Sequence, residues 1–83
     1  MQAVIIAEIE KNGRELVCVT LEEFKGHRLA SVRVWARDPD KGTVPTRQGV
    51  ALRVSLLPAL LAALQDATHQ ARLLGLLEGH ADG

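Results

Sequence analysis

The chain has 83 residues, its ten basic residues balance ten acidic ones, and its only aromatic residues are Phe24 and Trp35. A domain of this length buries only about 60–65% of the surface that its unfolded chain exposes, so a disulfide, a metal or self-association usually supports it. The lone cysteine, Cys18, excludes an internal disulfide, and the three scattered histidines lack zinc-ligand spacing. We therefore expect a homodimer without a metal or other cofactor.

The composition also argues against membrane and disordered classes. The first apolar run, residues 3–7, ends at Glu8 and is too short for a signal-peptide core or a membrane span. A hydrophobic content of 47% is too high for a disordered chain. An unpaired cysteine fits a reducing compartment. The expectation is one soluble domain over residues 1–83, located in the cytoplasm and, in a bacterium, associated with the nucleoid.

Turn signals divide residues 3–54 into four apolar segments rich in Val, Ile and Thr. Asn12-Gly13 favours a two-residue hairpin turn, because both residues tolerate positive φ. Gly26 suits a second tight turn, and residues 38–42, with a proline and a terminal glycine, suit a third. Since these connections are too short for crossovers, the strands must be antiparallel. The predicted strands lie at about residues 4–9, 15–24, 28–37 and 44–54.

The last third of the chain has the pattern of a helix. Ser55 is the predicted N-cap, and Pro58 falls in the first turn, where its missing N–H does no harm. Leucines recur at helical spacing, and their broad face can be buried on the sheet and on a second subunit together. The alternative is a helix that only caps its own sheet. Gly75 or Gly79 would end it. The predicted dimer interface consists of Leu57, Leu60, Leu61 and Leu64.

The predicted fold class is therefore α+β. A four-stranded antiparallel β-meander over about residues 3–54 is followed by a C-terminal helix over about residues 56–78. The remaining tail, residues 79–83, is expected to be frayed. No linker or internal repeat divides the chain, so these elements are expected to form one domain.

Charge is distributed unevenly along the chain. Residues 1–23 hold two basic and five acidic residues, for a net charge of −3. Residues 24–53 hold seven basic and two acidic residues, for +5, and residues 54–83 hold one and three, for −2. The neutral total therefore conceals a basic middle hairpin.

The third segment, residues 28–37, alternates in character. Its even-numbered positions after the first are small and apolar and are predicted to face the core, whereas Arg33, Trp35 and Arg37 are predicted on the outer face. A tryptophan between two arginines can stack a nucleic-acid base while the guanidinium groups hold phosphates. The trio could equally form a cation–π packing unit, or Trp35 could lie in the dimer interface. A lone Phe24 is more typical of a core.

Three segments in register then resemble a known family. Residues 19–27 (VTLEEFKGH) match a strand, an acidic pair and Phe/Tyr-Lys-Gly, and residues 32–35 (VRVW) match Ile-Arg-x-aromatic. Residues 45–52 (PTRQGVAL) match Pro-x-Arg/Lys-Lys-Gly-Ile-x-Leu, and a leucine-rich helix follows. Over about residues 14–65 the chain resembles the positive-cofactor-four transcriptional coactivators, whose bacterial members have this length.

The resemblance implies a four-stranded sheet and a helix, dimerisation through the helices, and sequence-tolerant binding of single-stranded DNA across the sheets. It implies that Phe24 and Trp35 stack on bases or line the groove and that Lys25, Arg33 and Arg47 contact the backbone. Together with neighbouring cations, the expected nucleic-acid-binding residues are Arg14, Phe24, Lys25, Arg28, Arg33, Trp35, Arg37 and Arg47.

The chain departs from the family pattern at four positions. Ala36 stands where a second aromatic is frequent, and His27, Val44 and Gln48 stand where lysines are common. A missing stacking partner forfeits about 1–3 kcal/mol. The resemblance therefore implies weaker binding than in typical members.

These observations favour a binding module for single-stranded DNA that regulates transcription as a coactivator, with RNA left open as the ligand. Transcription or repair machinery would be its protein partner. The alternative is a protein-interaction dimer that docks a polymerase or repair factor through residues 67–77 and binds nucleic acid weakly or not at all. An enzyme is not expected. Cys18 suits a packing role, Glu22 and Glu23 point to opposite faces beside a solvated turn, and no nucleophile motif or phosphate-binding glycine loop is present.

Overall fold

The structure, a computed structural model, describes residues 3–77. Four strands form one antiparallel sheet in the order β1-β2-β3-β4, and a 3₁₀ turn and one helix follow. The predicted α+β fold class is confirmed; β2 has the predicted bounds, and the other strands begin or end up to three residues away from theirs. The predicted frayed tail lies outside the described residues. The elements are β1 (Val4–Asn12), β2 (Glu15–Phe24), β3 (His27–Asp38), β4 (Gly42–Arg53), the 3₁₀ turn Val54–Leu56 and α1 (Leu57–Leu73).

The β2–β3 turn has positive φ at both central residues, 52° at Lys25 and 82° at Gly26. This is the type I′ geometry that matches the twist of a two-residue hairpin, so the predicted turn at Gly26 is confirmed. In the β3–β4 turn the Asp38 carboxylate accepts hydrogen bonds from two backbone N–H groups, of Asp40 (2.8 Å) and Lys41 (3.0 Å). Gly42 then adopts φ 77°, the left-handed conformation expected of it.

The β1–β2 turn forms by a different mechanism from the predicted one. Its two central residues are Gly13 and Arg14, and neither has positive φ. The Oδ1 atom of Asn12 instead accepts a hydrogen bond of 2.8 Å from the backbone N–H of Arg14. The prediction of a left-handed Asn12-Gly13 pair is therefore wrong, because the asparagine side chain makes the turn as an Asx turn.

Strand β4 bulges in the middle of its pairing with β3. Arg33 lies opposite Gly49 and Trp35 lies opposite Pro45, so residues 46–48 all face a single β3 residue, Val34. Gly49 has φ 142°, and a Cβ at this position would lie 2.6 Å from the Cα atom of Arg33. Only glycine allows the two strands to approach so closely.

The register defines two faces of the sheet. The first, here called the Trp35 face, carries the cross-strand pairs Leu16–Trp35, Cys18–Arg33 and Thr20–Ser31, and the valine face carries Val17–Val34 and Val19–Val32. The predicted alternation along β3 is therefore confirmed. Ala30 is buried as predicted, but Val34 on the predicted core side is half-buried like Trp35 on the predicted outer side, so burial in the single chain does not separate the two faces. The valines of the valine face, at positions 17, 19, 32 and 34, are half-buried. Of the buried residues among 3–77, only Ala30 lies on the valine face, and the others are Leu16, Cys18, Thr20 and Ser31.

Helix α1 begins without a side-chain cap. Its N-cap is Leu56, and the predicted cap, Ser55, instead lies inside the preceding 3₁₀ turn. Pro58 does lie in the first turn, as predicted. At the other end Gly75 has φ 75°, and the N–H groups of Gly75 and Leu76 bond back to the carbonyls of Arg72 (3.1 Å) and Ala71 (2.8 Å). This Schellman motif confirms Gly75 as the terminating glycine, so the helix ends at Leu73 and not at the predicted residue 78. Gly79 lies outside the described residues.

The helix is not packed into a core with its own sheet. None of its residues is buried, and its main contact within the chain is the adjoining 3₁₀ turn. The radius of gyration is 14.9 Å, against about 12 Å for a compact chain of this length. Leu61 and Leu64 are 57% and 55% exposed. The alternative prediction, that the helix only caps its own sheet, is therefore wrong for the single chain. No helix within residues 3–77 is long and apolar enough to cross a membrane.

Candidate nucleic-acid interface

The Trp35 face holds a cavity of about 410 Å³, formed by β2, β3 and the bulge of β4. This volume is in the range of ligand sites in proteins, about 300–1,000 Å³. Three of the eight predicted site residues, Arg33, Trp35 and Arg47, line it together. The remaining lining residues are Thr20, Glu22, Ser31, Pro45 and Thr46.

The bulge in β4 positions the cations of the cavity. The Thr46 hydroxyl donates a hydrogen bond of 2.7 Å to the carbonyl of Val34, and so replaces a ladder bond that Pro45 and the bulge remove. The Thr46 carbonyl in turn accepts a hydrogen bond of 3.2 Å from Nη1 of Arg33. Neither Arg33 nor Arg47 forms an ion pair with an acidic residue among residues 3–77. Both guanidinium groups are therefore available to an anionic ligand.

Two largely buried residues that carry hydroxyl groups line the cavity. Thr20 and Ser31 are directly paired across β2 and β3 and are only 5% and 3% exposed. Neither hydroxyl forms a side-chain hydrogen bond among residues 3–77, and no fully buried side-chain oxygen there lacks a partner, so both hydroxyl oxygens are accessible from the cavity. Glu22, one step further along β2, is half-buried and lines the same cavity, so it is not the solvated turn residue that the sequence predicted.

Sequence reasoning missed these polar lining residues, although signals for two features were present. Thr20 and Glu22 share the strand face of Phe24 by simple alternation. Gly49 lies inside a strand-like segment that also contains Pro45, and a glycine in such a position indicates a bulge. The pairing of Thr20 with Ser31 could not be predicted, because it depends on the register between two strands.

Phe24 and Lys25 lie away from the cavity, at the β2–β3 turn. Phe24 is 59% exposed, and Nζ of Lys25 lies 5.2 Å from its ring centroid, in cation–π contact. Leu16, the residue paired with Trp35, is eight residues from Phe24 along β2. This separation is about 27 Å in an extended strand. The two aromatic rings therefore cannot stack on one base, and a strand touching both must run along the Trp35 face.

The other predicted cations lie in two further places. Arg37 bonds through its guanidinium group to both carboxylate oxygens of Glu10, at 3.0 and 3.2 Å, and to the carbonyl of Gly13 at 3.1 Å. Arg14 lines a separate cavity with Arg37, of about 510 Å³, at the β1–β2 turn. Arg28 lies opposite Glu23 in the register of β2 and β3 and is therefore on the valine face. The eight predicted residues thus do not form one site.

Electrostatic effects follow these contacts. The hydrogen bond and the positive charge of Arg37 hold the pKa of Glu10 below its usual value. A hydrogen bond from Lys11, at 2.8 Å, does the same to the pKa of Glu15. Burial, reinforced by the charge of Glu8, raises the pKa of the Cys18 thiol. Within residues 3–77 no three His, Cys, Asp or Glu side chains are grouped to hold a metal ion.

Fold and site together define an α+β protein in which a single antiparallel sheet presents one polar face with arginines and a tryptophan. The family described as Transcriptional Coactivator p15 (PC4) matches residues 11–63, and the chain belongs to this family. The resemblance found in the sequence is thereby confirmed. The match ends within α1, so the last part of the helix lies beyond it.

The chain is also similar to a solved structure, BPSL1147, a PC4 homologue from Burkholderia pseudomallei K96243. In its orthorhombic crystal form the identity is 30% and the TM-score is 0.75, over 81% of this chain and 90% of that one. In the tetragonal form the identity is again 30%, with a TM-score of 0.72 over 81% and 98% of the two chains. No curated protein sequence matches the chain significantly.

Proposed function

We propose that the chain binds single-stranded DNA with the Trp35 face and acts, as a homodimer, in the regulation of transcription. The observation that carries the proposal is the cavity that Trp35 lines together with Arg33 and Arg47, two arginines that have no acidic ion-pair partner among residues 3–77. Membership of the PC4 family supports the class of ligand.

Base stacking and contacts to the phosphate backbone would both contribute to the affinity for DNA. A base stacks on the indole of Trp35, while the guanidinium groups of Arg33 and Arg47 hold the flanking phosphates. A strand that continues along the same face reaches Phe24 and Lys25, about eight nucleotides away at the spacing of about 3.4 Å per stacked base. Duplex DNA competes poorly, because its bases are already stacked on one another.

Fluorescence anisotropy with a labelled oligonucleotide tests the proposal. We expect the single strand to bind more tightly than a duplex of the same length. Each phosphate neutralised contributes a slope of about −0.7 to the plot of log affinity against log salt. With Lys25, Arg33, Arg47 and one further cation engaged, the slope is near −3. Equal affinity for duplex and single strand, or a response insensitive to salt, would contradict the stacking model.

Dimerisation is part of the same proposal. Leu61 and Leu64 of α1 are exposed, and Leu57, Leu60 and the valine face are only half-buried by the described residues. Exposed apolar patches of this kind usually mark an interface. A second copy placed against the helix would bury Leu57, Leu60, Leu61 and Leu64 and leave the Trp35 face open to nucleic acid.

A second candidate is a protein-interaction dimer with weak or no nucleic-acid binding. It is favoured by the exposed leucines beyond the family match, of which Leu73, Leu74 and Leu76 are 67%, 68% and 76% exposed. The double substitution of Arg33 and Trp35 by alanine separates the two. Lost oligonucleotide binding with an intact dimer supports the DNA-binding role. Unchanged binding with a weakened dimer supports the interaction role.

A further inference from the structure

The cavity on the Trp35 face contains more than a stacking surface and two cations. Resting on the proposed function, we infer that its end beside Glu22 is a base-recognition subsite in which Glu22 selects guanine over thymine. Glu22 pairs with Leu29, about 20 Å along the strands from the Leu16–Trp35 pair, so the base that it reads is not the one stacked on Trp35. The inference departs from the low sequence specificity that stacking alone would produce.

The first argument is the set of polar groups without partners. The residues Thr20 and Ser31 are both more than nine-tenths buried and line the cavity, and their hydroxyl oxygens, which make no hydrogen bond within residues 3–77, are accessible only from it. Buried polar groups in proteins are normally satisfied, and those left open at the floor of a pocket are the groups that orient a ligand. Stacking on Trp35 does not use them.

The second argument is the charge of Glu22. It is the single acidic residue that lines this cavity, beside Arg33 and Arg47. A carboxylate repels phosphate, so its position is unfavourable for a site that contacts only the backbone. It is favourable where the edge of a base, rich in N–H donors, enters the cavity.

The third argument is the match between a carboxylate and each base. An ionised carboxylate only accepts hydrogen bonds, through two adjacent oxygens. Guanine presents N1–H and the 2-amino group side by side, and so fits both oxygens of Glu22 at once. Thymine presents one N–H between two carbonyl oxygens, which repel the carboxylate. The hydroxyls of Thr20 and Ser31 donate and accept equally well, and so complete the contact without setting the preference.

The test uses a short oligothymidylate with one central base replaced by guanine, cytosine, adenine or hypoxanthine. For the wild-type protein we expect the guanine oligonucleotide to bind roughly tenfold more tightly than the unsubstituted one, as a good bidentate pair allows. Hypoxanthine, which lacks the 2-amino group, should lose most of this gain.

The variant Glu22→Gln should reduce the guanine preference severalfold and raise the affinity for oligothymidylate, because a negative charge near the phosphates and the thymine carbonyls is removed. Glu23→Gln is the matched control. It makes the same chemical change one residue away on the opposite face of β2, and should preserve the preference. Thermal unfolding of both variants checks that the fold is intact, and base preference is a readout that a purely structural role would not move.

The outcomes separate the two proposals. If oligothymidylate binds but guanine gives no gain, or if the gain survives in Glu22→Gln, the inference is overturned and the proposed function stands. If no single strand binds even at low salt, the proposed function fails and the inference fails with it.

Discussion

Arg37 on β3 forms a salt bridge with Glu10 on β1, with 3.0 Å between Nη2 and Oε1, so it reaches past the intervening strand β2. The two arginines that flank Trp35 in the sequence therefore have different partners. Arg37 is held by a carboxylate and by the β1–β2 turn, whereas among residues 3–77 the Arg33 side chain bonds to one backbone carbonyl, that of Thr46. The two arginines of the predicted Arg33-Trp35-Arg37 trio therefore differ in their contacts within the fold.

This asymmetry predicts different effects of the two arginines on DNA binding. Arg33→Ala should weaken single-strand binding and reduce the magnitude of the salt slope by about 0.7, the contribution of one phosphate. Arg37→Ala should leave the slope unchanged, because its charge is already neutralised by Glu10. Anisotropy titrations at several salt concentrations measure both. Equal slope changes in the two variants would show that Arg37 leaves Glu10 to contact DNA.

The same salt bridge predicts a pH effect. Arg37 lowers the pKa of Glu10 in the folded state, so the pair stabilises the fold above the unfolded pKa, and this contribution disappears as the pH falls through the folded value. In Arg37→Ala the pKa of Glu10 should rise to its ordinary value, as followed by the NMR shift of its carboxyl carbon. The pKa of Glu15, held down by Lys11, is the internal control and should not change. A Glu10 pKa that stays low would contradict the pairing.

The fluorescence of Trp35 should change on DNA binding, and its ring should contribute to the affinity. As the only tryptophan, it should show quenched or shifted fluorescence when a single strand binds. Trp35→Ala should lose about 1–3 kcal/mol of binding free energy, the value of one base–aromatic stack. Because Trp35 is half-buried opposite Leu16, Trp35→Phe serves as the conservative control and should recover part of the affinity. Identical binding by wild type and Trp35→Ala would remove the ring from the interface.

Gly49 should not tolerate substitution, because a side chain there would collide with the backbone of β3. Gly49→Ala places a Cβ against the backbone of β3 at φ 142°, and should destabilise the fold by at least about 1–3 kcal/mol, the cost of one strained residue. Gly13→Ala is the matched control, since it has open space and no positive φ, and should be close to neutral. Urea denaturation measures both variants. A neutral Gly49→Ala would show that β4 does not approach β3 as described.

The helix leucines should control the oligomeric state. We expect light scattering to give twice the 9.0 kDa of one chain for the wild type and about 9.0 kDa for Leu61→Glu combined with Leu64→Glu. Gln70→Glu, about 180° around the helix from Leu61, adds charge away from the predicted interface and should stay dimeric. A monomeric wild type would refute the dimer, and a dimeric double variant would place the interface elsewhere.

Several features of the protein could be predicted from the sequence, because they depend on residues close together in the chain. Turn residues such as Gly26 and Gly42 determined where strands end, and alternation determined that Arg33 and Trp35 share a face. The family motifs, contained in segments of at most nine residues, were sufficient for the assignment to PC4. Leucine spacing and Pro58 determined the helix.

Only the tertiary structure decided which of these residues act together, because that depends on the register between strands. Pairing of β2 with β3 placed Thr20 opposite Ser31, and the bulge of β4 turned Arg47 into the same cavity. Folding also brought Glu10 to Arg37, although 27 positions separate them in the chain. Eight predicted site residues were thereby reduced to three in one cavity, and Glu22 was added to them. No local pattern carries this information, because contacts across a sheet join residues that are distant in sequence.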